Sequence, residues 1–441
     1  MHTIPPLFLV FPFVLLLLLI AIGPIFLEKF WHHHYSKVSV GLGAIVFLYY
    51  GFAMDNFTHP LETIGEYISF ISLLTILFVA SGGIYVFVDI ESKPINNILF
   101  LLLAAILTNL LGTTGASVLL IKPFMRINRY RLKPYHIVFF IFIVSNLGGL
   151  LTPIGDPPLF MGYLKGVPFQ WTFIHLLPKW IVGIAGILFV FFLVDRKNTQ
   201  LDEVDVSAHY TNKIIINGKK NFIWLAIGII SIFIDPNLID GLPHIAIDGK
   251  KISFIREIIQ LSAAFFCFKL SNKKALESNE FSFDPIKEVA WLFIGIFLTM
   301  IPALQWLEHM AQNPEISSKI SVSVAYWFSG AFSSVLDNAP TYLNVFAVVL
   351  AKFGFSIENM NDVKEFLKTE NINYLSALST GAVFFGAMTY IGNGPNFMVK
   401  SIADKAGVKM PSFSDYIFKY SIPYLLPVLV AVSYTHLTLP T

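Results

Sequence analysis

The sequence predicts an all-α polytopic membrane protein with two inverted repeats, about ten transmembrane spans, two opposed re-entrant hairpins and two broken helices. The chain is 55% hydrophobic and only 13% charged, whereas a soluble globular protein is about one-quarter charged. Apolar runs such as 7–27 and 171–194 reach the roughly 20 residues that a helix needs to cross the hydrocarbon. A ten-residue pattern inside one apolar run also returns in the second half of the chain.

The repeated pattern combines polar residues with residues that break helices. The first copy, over residues 152–161, is Thr-Pro-Ile-Gly-Asp-Pro-Pro-Leu-Phe-Met, and the second, over 389–398, is Thr-Tyr-Ile-Gly-Asn-Gly-Pro-Asn-Phe-Met. The copies align without gaps, and Asp156 corresponds to Asn393. A polar break used once in each half of a membrane protein is typical of transporters built from two repeats.

The predicted units follow the same order of types in both halves. The first repeat, 7–194, has spans at 7–27, 38–54 and 67–90, a hairpin at 95–125, a broken helix at 135–164 and a span at 171–194. A polar, cytoplasmic linker at 195–220 separates it from the second repeat. The second repeat, 221–433, has spans at 221–240, 253–269 and 288–307, a hairpin at 320–352, a broken helix at 374–403 and a span at 415–433. The tail 434–441 does not resemble the end of a membrane helix, and we expect the native C-terminus to be missing or replaced by unrelated sequence.

Loop charges predict the orientation. The segment 126–133 carries four basic residues and is expected to be cytoplasmic, as is the loop 28–37, whereas the acidic loop 55–66 is expected outside. These assignments agree only if the unit 95–125 enters and leaves on one face. The hairpin 320–352 then enters from the other face, so the repeats are inverted. Asp89 falls at the end of a predicted span and is expected to face water.

Two carboxylates are predicted to lie near the middle of the membrane, Asp156 and Asp337. Such groups are costly in lipid and mark functional sites by default. Neutral oxygen-bearing residues accompany them in the four interrupted units: Thr113, Thr114, Ser117, Ser145, Asn146, Thr152, Ser334, Asn338, Thr341, Thr389, Asn393 and Asn396. Oxygen ligands of this kind suit hard cations, although small polar residues also hold membrane helices together. We therefore expect a Na⁺ site near Asp156 and Asp337, where a proton can replace the cation.

Two segments resemble a known family. The run Ser-Asn-Leu-Gly-Gly-Leu-Leu-Thr-Pro-Ile-Gly-Asp-Pro-Pro at 145–158 and the run Ser-Val-Leu-Asp-Asn-Ala-Pro-Thr at 334–341 are similar to motifs of the NhaD-type sodium/proton antiporters. These antiporters belong to the ion transporter superfamily, with the citrate, arsenite and dicarboxylate carriers. The resemblance implies a scaffold domain, a mobile transport domain that carries both hairpins, a homodimer and elevator-like alternating access. It also implies which residues line the cation and proton site: Asp156, Asp337, Asn338, Thr341, Ser145, Asn146 and Thr152.

The expected function is Na⁺ (or Li⁺)/proton antiport across the cytoplasmic membrane, the inner membrane of the cell, without enzymatic activity or a cofactor. The alternative is cation-coupled transport of citrate or another carboxylate, since half-helix N-termini at the breaks can bind carboxylates. Against a dicarboxylate substrate, the paired Ser-Asn-Thr tripeptides of dicarboxylate carriers are not evident at the hairpin tips. A remote third reading is an intramembrane aspartyl protease, although Pro153 replaces the first glycine of the usual Gly-x-Gly-Asp signature. The net charge of +2 gives no reason to expect a nucleic-acid partner.

Overall fold

The computed structural model describes residues 4–198, 210–239, 241–247 and 250–438, and these residues are mostly helical. By length and composition, seven of the described helical segments can cross a membrane: 29–53, 58–82, 94–127, 134–151, 169–195, 284–311 and 413–435. The predicted class of an all-α polytopic membrane protein is confirmed. The count of about ten spans and the inverted orientation of the two halves stay predictions.

The first half contains seven α-helices and one strand within the described residues. In chain order they are a 3₁₀ turn at Leu7–Val10, α1 (Phe11–Phe26), α2 (Glu28–Leu48), a π-helical turn at Tyr49–Ala53, α3 (Thr58–Gly82), β1 (Tyr85–Asp89), α4 (Pro94–Ile127), α5 (Pro134–Ile143), a 3₁₀ segment at Leu147–Leu151, α6 (Pro157–Leu164) and α7 (Phe169–Asp195). The strand β1 pairs with β2 (Lys213–Asn217), which lies near the end of the predicted linker 195–220.

The second half adds twelve α-helices and a short hairpin of strands within the described residues. They are α8 (Asn221–Ser231), β3 (Ile245–Ile247), β4 (Lys250–Ile252), α9 (Ile255–Leu270), α10 (Lys273–Ser278), α11 (Asp284–Ala311), α12 (Pro314–Ser317), α13 (Val322–Ser333), α14 (Asn338–Lys352), α15 (Met360–Phe366), α16 (Ile372–Phe385), a 3₁₀ turn at Gly386–Met388, α17 (Gly394–Lys405), α18 (Phe413–Tyr416), a π-helical segment at Ile417–Leu425 and α19 (Leu426–Thr438). Strands β3 and β4 are antiparallel.

The chain forms two compact units, and each draws on both halves of the sequence. Unit 1 comprises Met1–Tyr85 and Asn217–Trp306, and unit 2 comprises Val86–Ile216 and Leu307–Thr441. In unit 1, α3, α8 and α9 pack on one another. Unit 2 contains all four of the interrupted segments that the sequence singles out. The predicted repeats 7–194 and 221–433 describe a different division of the chain and stay a prediction.

The helix α4 reverses its direction at Gly112. Its first and last turns meet, since Asn97 Nδ2 donates to Asn128 Oδ1 over 2.8 Å and the rings of Phe100 and Phe124 stack 5.5 Å apart. A straight helix would separate Asn97 from Asn128 by more than about 40 Å. Gly112 has a φ of 72° and a ψ of 158°, a backbone conformation that L side chains avoid. The unit is therefore a helical hairpin with Gly112 at its tip.

A second hairpin is formed by α13 and α14. Its base is closed by Lys352, whose Nζ donates to the carbonyl oxygen of Ser317 over 2.6 Å. Residues 334–337 form the tip between the two helices. Asp337 ends this tip as the N-cap of α14, and its side chain accepts from the N–H of Ala339 over 3.0 Å. The tip thus places Asp337 and Asn338 at the start of a helix.

The two broken helices have the same local structure. In each, a 3₁₀ segment is followed by extended backbone and then by a helix with proline in its first turn. The hydroxyl of Thr152 donates to the carbonyl oxygen of Asn109 over 2.6 Å, and that of Thr389 donates to that of Ser334 over 2.6 Å. The repeated sequence therefore folds into a repeated break, and each break is bonded to one hairpin tip.

Several predicted boundaries are wrong. The helix predicted over 67–90 ends at Gly82, because the apolar residues that follow Gly83 form the strand β1 and pair with β2. The span 221–240 ends at Ser231, shortly before Asp235-Pro236, where proline disfavours helix. The expected loop 28–37 is the first part of α2.

The expectation that Asp89 faces water is also wrong, since its exposed fraction is 4%. Arg129 Nη1 donates to its Oδ1 over 2.6 Å, and the hydroxyl of Thr211 donates to its Oδ2 over 2.6 Å. A buried carboxylate needs such partners, so Arg129, which the sequence suggested only as a topology signal, stabilises the fold around β1.

Candidate functional site

Asp156 is the centre of the candidate site. Its side chain is fully buried, and three neutral side chains donate to it. Thr113 Oγ1 and Asn393 Nδ2 reach Oδ1 over 2.9 and 3.0 Å, and Asn338 Nδ2 reaches Oδ2 over 2.6 Å. These donors come from the first hairpin tip, the second break and the second hairpin tip. None of the three carries a positive charge, so the carboxylate is held by dipoles alone.

Local backbone chemistry explains why Asp156 is presented in this way. Pro157 and Pro158 open α6, so the chain before them is extended, with φ −146° and ψ 143° at Asp156. Gly155 lies against Gly149, since a Cβ on Gly155 would meet the carbonyl oxygen of Gly149 at 2.2 Å. The carbonyl oxygen of Gly155 accepts from the N–H of Thr113 over 2.9 Å. The hairpin tip and the break therefore form one continuous structure around the carboxylate.

Amide side chains connect the two breaks. Asn393 Nδ2 donates to the carbonyl oxygen of Ser145 over 3.0 Å, as well as to Asp156. Asn146 Nδ2 donates to Asn396 Oδ1 over 2.8 Å, and Asn396 Nδ2 donates to the carbonyl oxygens of Gly386 and Thr389 over 2.8 and 2.9 Å. All three asparagine side chains are at most 2% exposed. The network fixes the orientation of the amide that faces Asp156.

The second hairpin tip contributes an acceptor without a partner. Asn338 is 1% exposed, and its Nδ2 donates to Asp156. Its Oδ1 has no hydrogen-bond partner among the described residues. Asp337, next to it, is half-buried and interacts electrostatically with Asp156. Carboxylate and amide oxygens of this kind are ligands that hard cations accept.

The comparison with protein families identifies the class of molecule. A family model described as "Putative citrate transport" matches residues 2–437. The chain belongs to this citrate transport family. No curated protein sequence matches the chain. Membership of the citrate transport family confirms that the protein is a multi-pass membrane transporter. The NhaD-type antiporter specificity that the sequence suggested stays a prediction.

In this member of the citrate transport family, the other predicted site residues bond to groups other than the Asp156 carboxylate. Ser145 Oγ lies 2.7 Å from Ser117 Oγ, and the Ser145 carbonyl supports Asn393. Thr152 and Thr389 bond backbone atoms of the two hairpin tips. Thr341 Oγ1 donates to the carbonyl of Asp337 over 3.0 Å within its own helix. Thr114 is half-buried, and the structure gives it no hydrogen bond to Asp156. Among the described residues, the hydrogen bonds that these side chains make go to groups other than the Asp156 carboxylate.

Asn109 is a supporting residue that sequence reasoning missed. Its Nδ2 donates to the carbonyl oxygen of Gly148 over 2.8 Å, and its Oδ1 accepts from the N–H of Leu151 over 2.9 Å. Both bonds hold the 3₁₀ segment at Leu147–Leu151 against the first hairpin. An asparagine three residues before Gly112 in an apolar run was the available signal.

Lys179 was missed as well. It lies in α7, within the predicted span 171–194, and is 2% exposed. Its Nζ donates to the carbonyl oxygen of His175 over 3.2 Å, and the next residue, Trp180, donates from Nε1 to the carbonyl oxygen of Gly148 over 3.1 Å. A lysine inside an apolar run is the kind of signal that marks functional or supporting positions in membrane proteins.

The base of the first hairpin is fixed by Asp195, which ends α7 and is fully buried. Arg131 forms an ion pair with it, Tyr135 donates to its Oδ1 over 2.6 Å, and Asn97 Nδ2 donates to its Oδ2 over 3.0 Å. Arg131 belongs to the basic segment that the sequence suggested as a topology signal. This network holds the hairpin at the end opposite to the candidate site.

The ligand types available around Asp156 bear on the predicted Na⁺ site. Among the described residues there is no group of three or more His, Cys, Asp or Glu side chains that could hold a metal ion. Sodium, in contrast, is bound by a few carboxylate, amide and backbone oxygens. Asp156, Asp337 and Asn338 carry oxygen atoms of these kinds, and the Na⁺ site expected at them stays a prediction.

Proposed function

We propose that the protein is a cation-coupled transporter of citrate or a related carboxylate. The observation that carries the proposal is Asp156, a fully buried carboxylate held by three neutral donors. A buried charge requires compensation, and a cation beside Asp156 would supply it. Membership of the citrate transport family favours a carboxylate as the cargo.

In this proposal the coupling cation binds between Asp156, Asp337 and the unpartnered Oδ1 of Asn338. Without a cation the two carboxylates repel each other, so the arrangement of the hairpin tip is less stable. A bound cation removes the repulsion and neutralises the region. An anionic cargo then approaches a site whose charge has been lowered, so that cation binding and cargo binding stabilise each other.

The proposed place for a carboxylate of the cargo is the start of α17. Gly394, its first residue, is exposed, and a Cβ placed on it would meet no atom within 4 Å. It directly follows Asn393, which contacts Asp156. Backbone N–H groups at a helix N-terminus attract anions. The twelve-residue helix α17 thus offers an anion an open approach next to the proposed cation site.

Sodium/proton antiport is the second candidate. It is favoured by the same carboxylate, since a single Asp156 that is bonded only to neutral donors can hold either a proton or a cation. In that case the protein would exchange Na⁺ for H⁺ without any carboxylate cargo. We further propose that the chain lies in the cytoplasmic membrane as a homodimer, has no enzymatic activity and uses alternating access.

Transport in proteoliposomes separates the two candidates. Uptake of labelled citrate is measured with an inward Na⁺ gradient and with choline in its place, while a dye reports the internal pH. The proposal expects Na⁺-dependent uptake that Asp156→Asn abolishes and that Glu365→Gln, at an exposed helix position, leaves unchanged. Proton movement driven by Na⁺ in the absence of citrate, with no citrate uptake, would replace the proposal by antiport.

A further inference from the structure

A second polar cluster lies in unit 1, between the packed helices α3 and α9. Ser69 Oγ donates to Glu257 Oε1 over 2.5 Å, and Arg256 Nε donates to the same oxygen over 2.9 Å. Arg256 also reaches Asp235 Oδ2 from Nη1 over 3.1 Å. One guanidinium is thus shared by two carboxylates. Glu257 is 2% exposed, so its charge is almost completely removed from water.

Four polar side-chain atoms in the same parts of α3 and α9 lack hydrogen-bond partners among the described residues. Glu257 Oε2, both polar atoms of Gln260 and the hydroxyl of Ser72 are buried and have no hydrogen-bond partner among the described residues. Gln260 and Ser72 are fully buried. Buried polar groups are normally bonded, and leaving them without a partner is unfavourable. A concentration of such atoms indicates a bound species.

The helix register places Ser72 and Gln260 at the same level of the neighbouring helices α3 and α9. At one end Ser69 meets Glu257, and at the other Asn221 Nδ2 contacts the carbonyl oxygen of Ala80 and Oγ of Ser271, over 3.2 and 2.9 Å. Residue numbers therefore increase in the same direction along α3 and α9. Ser72 and Gln260 each lie three residues beyond the bonded pair, about one helical turn further on. Both belong to the buried faces of their helices.

We propose that Glu257, Gln260 and Ser72 form a second cation site, specific for a small monovalent cation such as Na⁺. The ligands are Glu257 Oε2, Gln260 Oε1 and Ser72 Oγ, all hard oxygens. A divalent ion would require more carboxylates than the one that is available here. Because the ligands come from α3 and α9, this cation is a fixed structural component that joins two helices of unit 1. It is separate from the cargo-coupled cation at Asp156, which lies in unit 2.

Thermal unfolding of the purified full-length protein tests the second site. The variant Asp156→Asn serves as the parent, since it removes the first proposed cation site. Its unfolding midpoint is measured as NaCl replaces choline chloride at constant ionic strength. We expect the midpoint to rise with the Na⁺ concentration, as it does when only the folded state binds a ligand. Adding Glu257→Gln should raise the half-effective Na⁺ concentration by about tenfold or more, the effect of losing about 1.4 kcal/mol.

Two further variants keep the test decisive if Glu257→Gln does not fold. Ser72→Ala and Gln260→Met leave the contacts of Arg256 intact and should also weaken the response to Na⁺. Ser81→Ala is the matched control, because Ser81 is a buried serine of α3 whose hydroxyl also has no partner in the described part of the chain. It lies about 13 Å further along the helix. It should leave the response unchanged.

The outcomes distinguish the two sites. If the midpoint of Asp156→Asn is the same in Na⁺ and in choline, the cluster holds only water and the second site is refuted, while the proposed function is untouched. If the midpoint rises but Ser72→Ala and Gln260→Met respond like Asp156→Asn alone, the assigned ligands are wrong. If the midpoint of Asp156→Asn rises with Na⁺ while the wild type shows no Na⁺-driven citrate uptake, the second site is supported and the proposed function is refuted.

Discussion

Asp156 and Asn393 occupy equivalent positions in the repeated pattern, 237 residues apart, and their side chains are hydrogen-bonded over 3.0 Å. Equivalent residues that touch mark the place where the two breaks meet. The pair carries one charge instead of two, because the second copy has an amide. Two carboxylates at this distance would repel each other, whereas an amide donates a hydrogen bond to the acid.

Exchanging the two residues tests whether the pair acts as a unit. Asp156→Asn removes the charge, and Asn393→Asp creates two facing carboxylates, so each single variant should lower Na⁺-driven citrate uptake by about a hundredfold or more. The double variant Asp156→Asn/Asn393→Asp restores one acid and one amide, and we expect it to recover part of the uptake. Initial rates in proteoliposomes, at equal amounts of folded protein, provide the measurement. A double variant no better than the worse single variant would show that the acid is needed at position 156 alone.

Asn338 should affect the cation more than the cargo. Asn338→Ala removes a hydrogen bond to a charged group, worth about 1.5–3 kcal/mol, together with the unpartnered oxygen proposed as a cation ligand. The half-saturating Na⁺ concentration for uptake should rise by about tenfold or more, while the KM for citrate at saturating Na⁺ changes little. Asn344→Ala, on the same helix but bonded to the carbonyl of Pro340, is the control. Equal shifts in both constants would place Asn338 outside the cation site.

Much of this site could be predicted from the sequence, because its signals are local. A carboxylate next to two prolines in an apolar run, and its amide-bearing copy, identified Asp156 and Asn393. The glycine and proline breaks likewise identified both hairpins. The roles of Thr152 and Thr389 could not be predicted, since a threonine beside a break can face a ligand or bond a backbone carbonyl with equal chemical ease. Only the positions of Asn109 and Ser334 decide between these roles.

Gly155 is required by a close approach of two backbone segments. In Gly155→Ala the new Cβ would lie 2.2 Å from the carbonyl oxygen of Gly149, so the break must move. We expect a loss of about 1–3 kcal/mol of stability and a strong loss of uptake. Gly65→Ala in α3 is the matched control, because its Cβ would meet no atom within 4 Å and alanine favours a helix. The midpoint of thermal unfolding reports the difference, and a Gly155→Ala variant as stable and active as Gly65→Ala would contradict the described break.

Asp89 should make stability depend on acid pH. Burial raises the pKa of Asp89, but hydrogen bonds from Thr211 and Arg129 outweigh that effect and hold its pKa below its ordinary value. Because the pKa is lower in the folded state, the stabilisation is fully present above the unfolded value of about 3.9 and is lost as the pH falls through the folded pKa. The stability difference between the wild type and Asp89→Asn should be constant near neutral pH and shrink below about pH 4. A difference that is unchanged down to the lowest pH at which the protein folds would contradict this.

The features missed from the sequence have a common cause. The span 67–90 was predicted from hydropathy, which does not distinguish the end of a helix from the apolar strand β1 that follows it. The buried state of Asp89 depends on Arg129 and Thr211, which are distant in the sequence. Similarly, the partners of Asp195 come from α4 and from the stretch 131–135, at least 60 residues away in the sequence. Such long-range pairs depend on how the helices pack, and local sequence patterns do not specify which distant residues come into contact.

Citrate binding to the purified protein tests the central claim, that the coupling cation binds at Asp156, most directly. Calorimetric titrations of citrate are carried out in Na⁺ and in choline, with the wild type and with Asp156→Asn. We predict that Na⁺ tightens citrate binding to the wild type by at least about fivefold, a typical coupling between two sites, and that this tightening is absent in Asp156→Asn. If Asp156→Asn binds citrate with the same dependence on Na⁺ as the wild type, the coupling cation does not bind at Asp156.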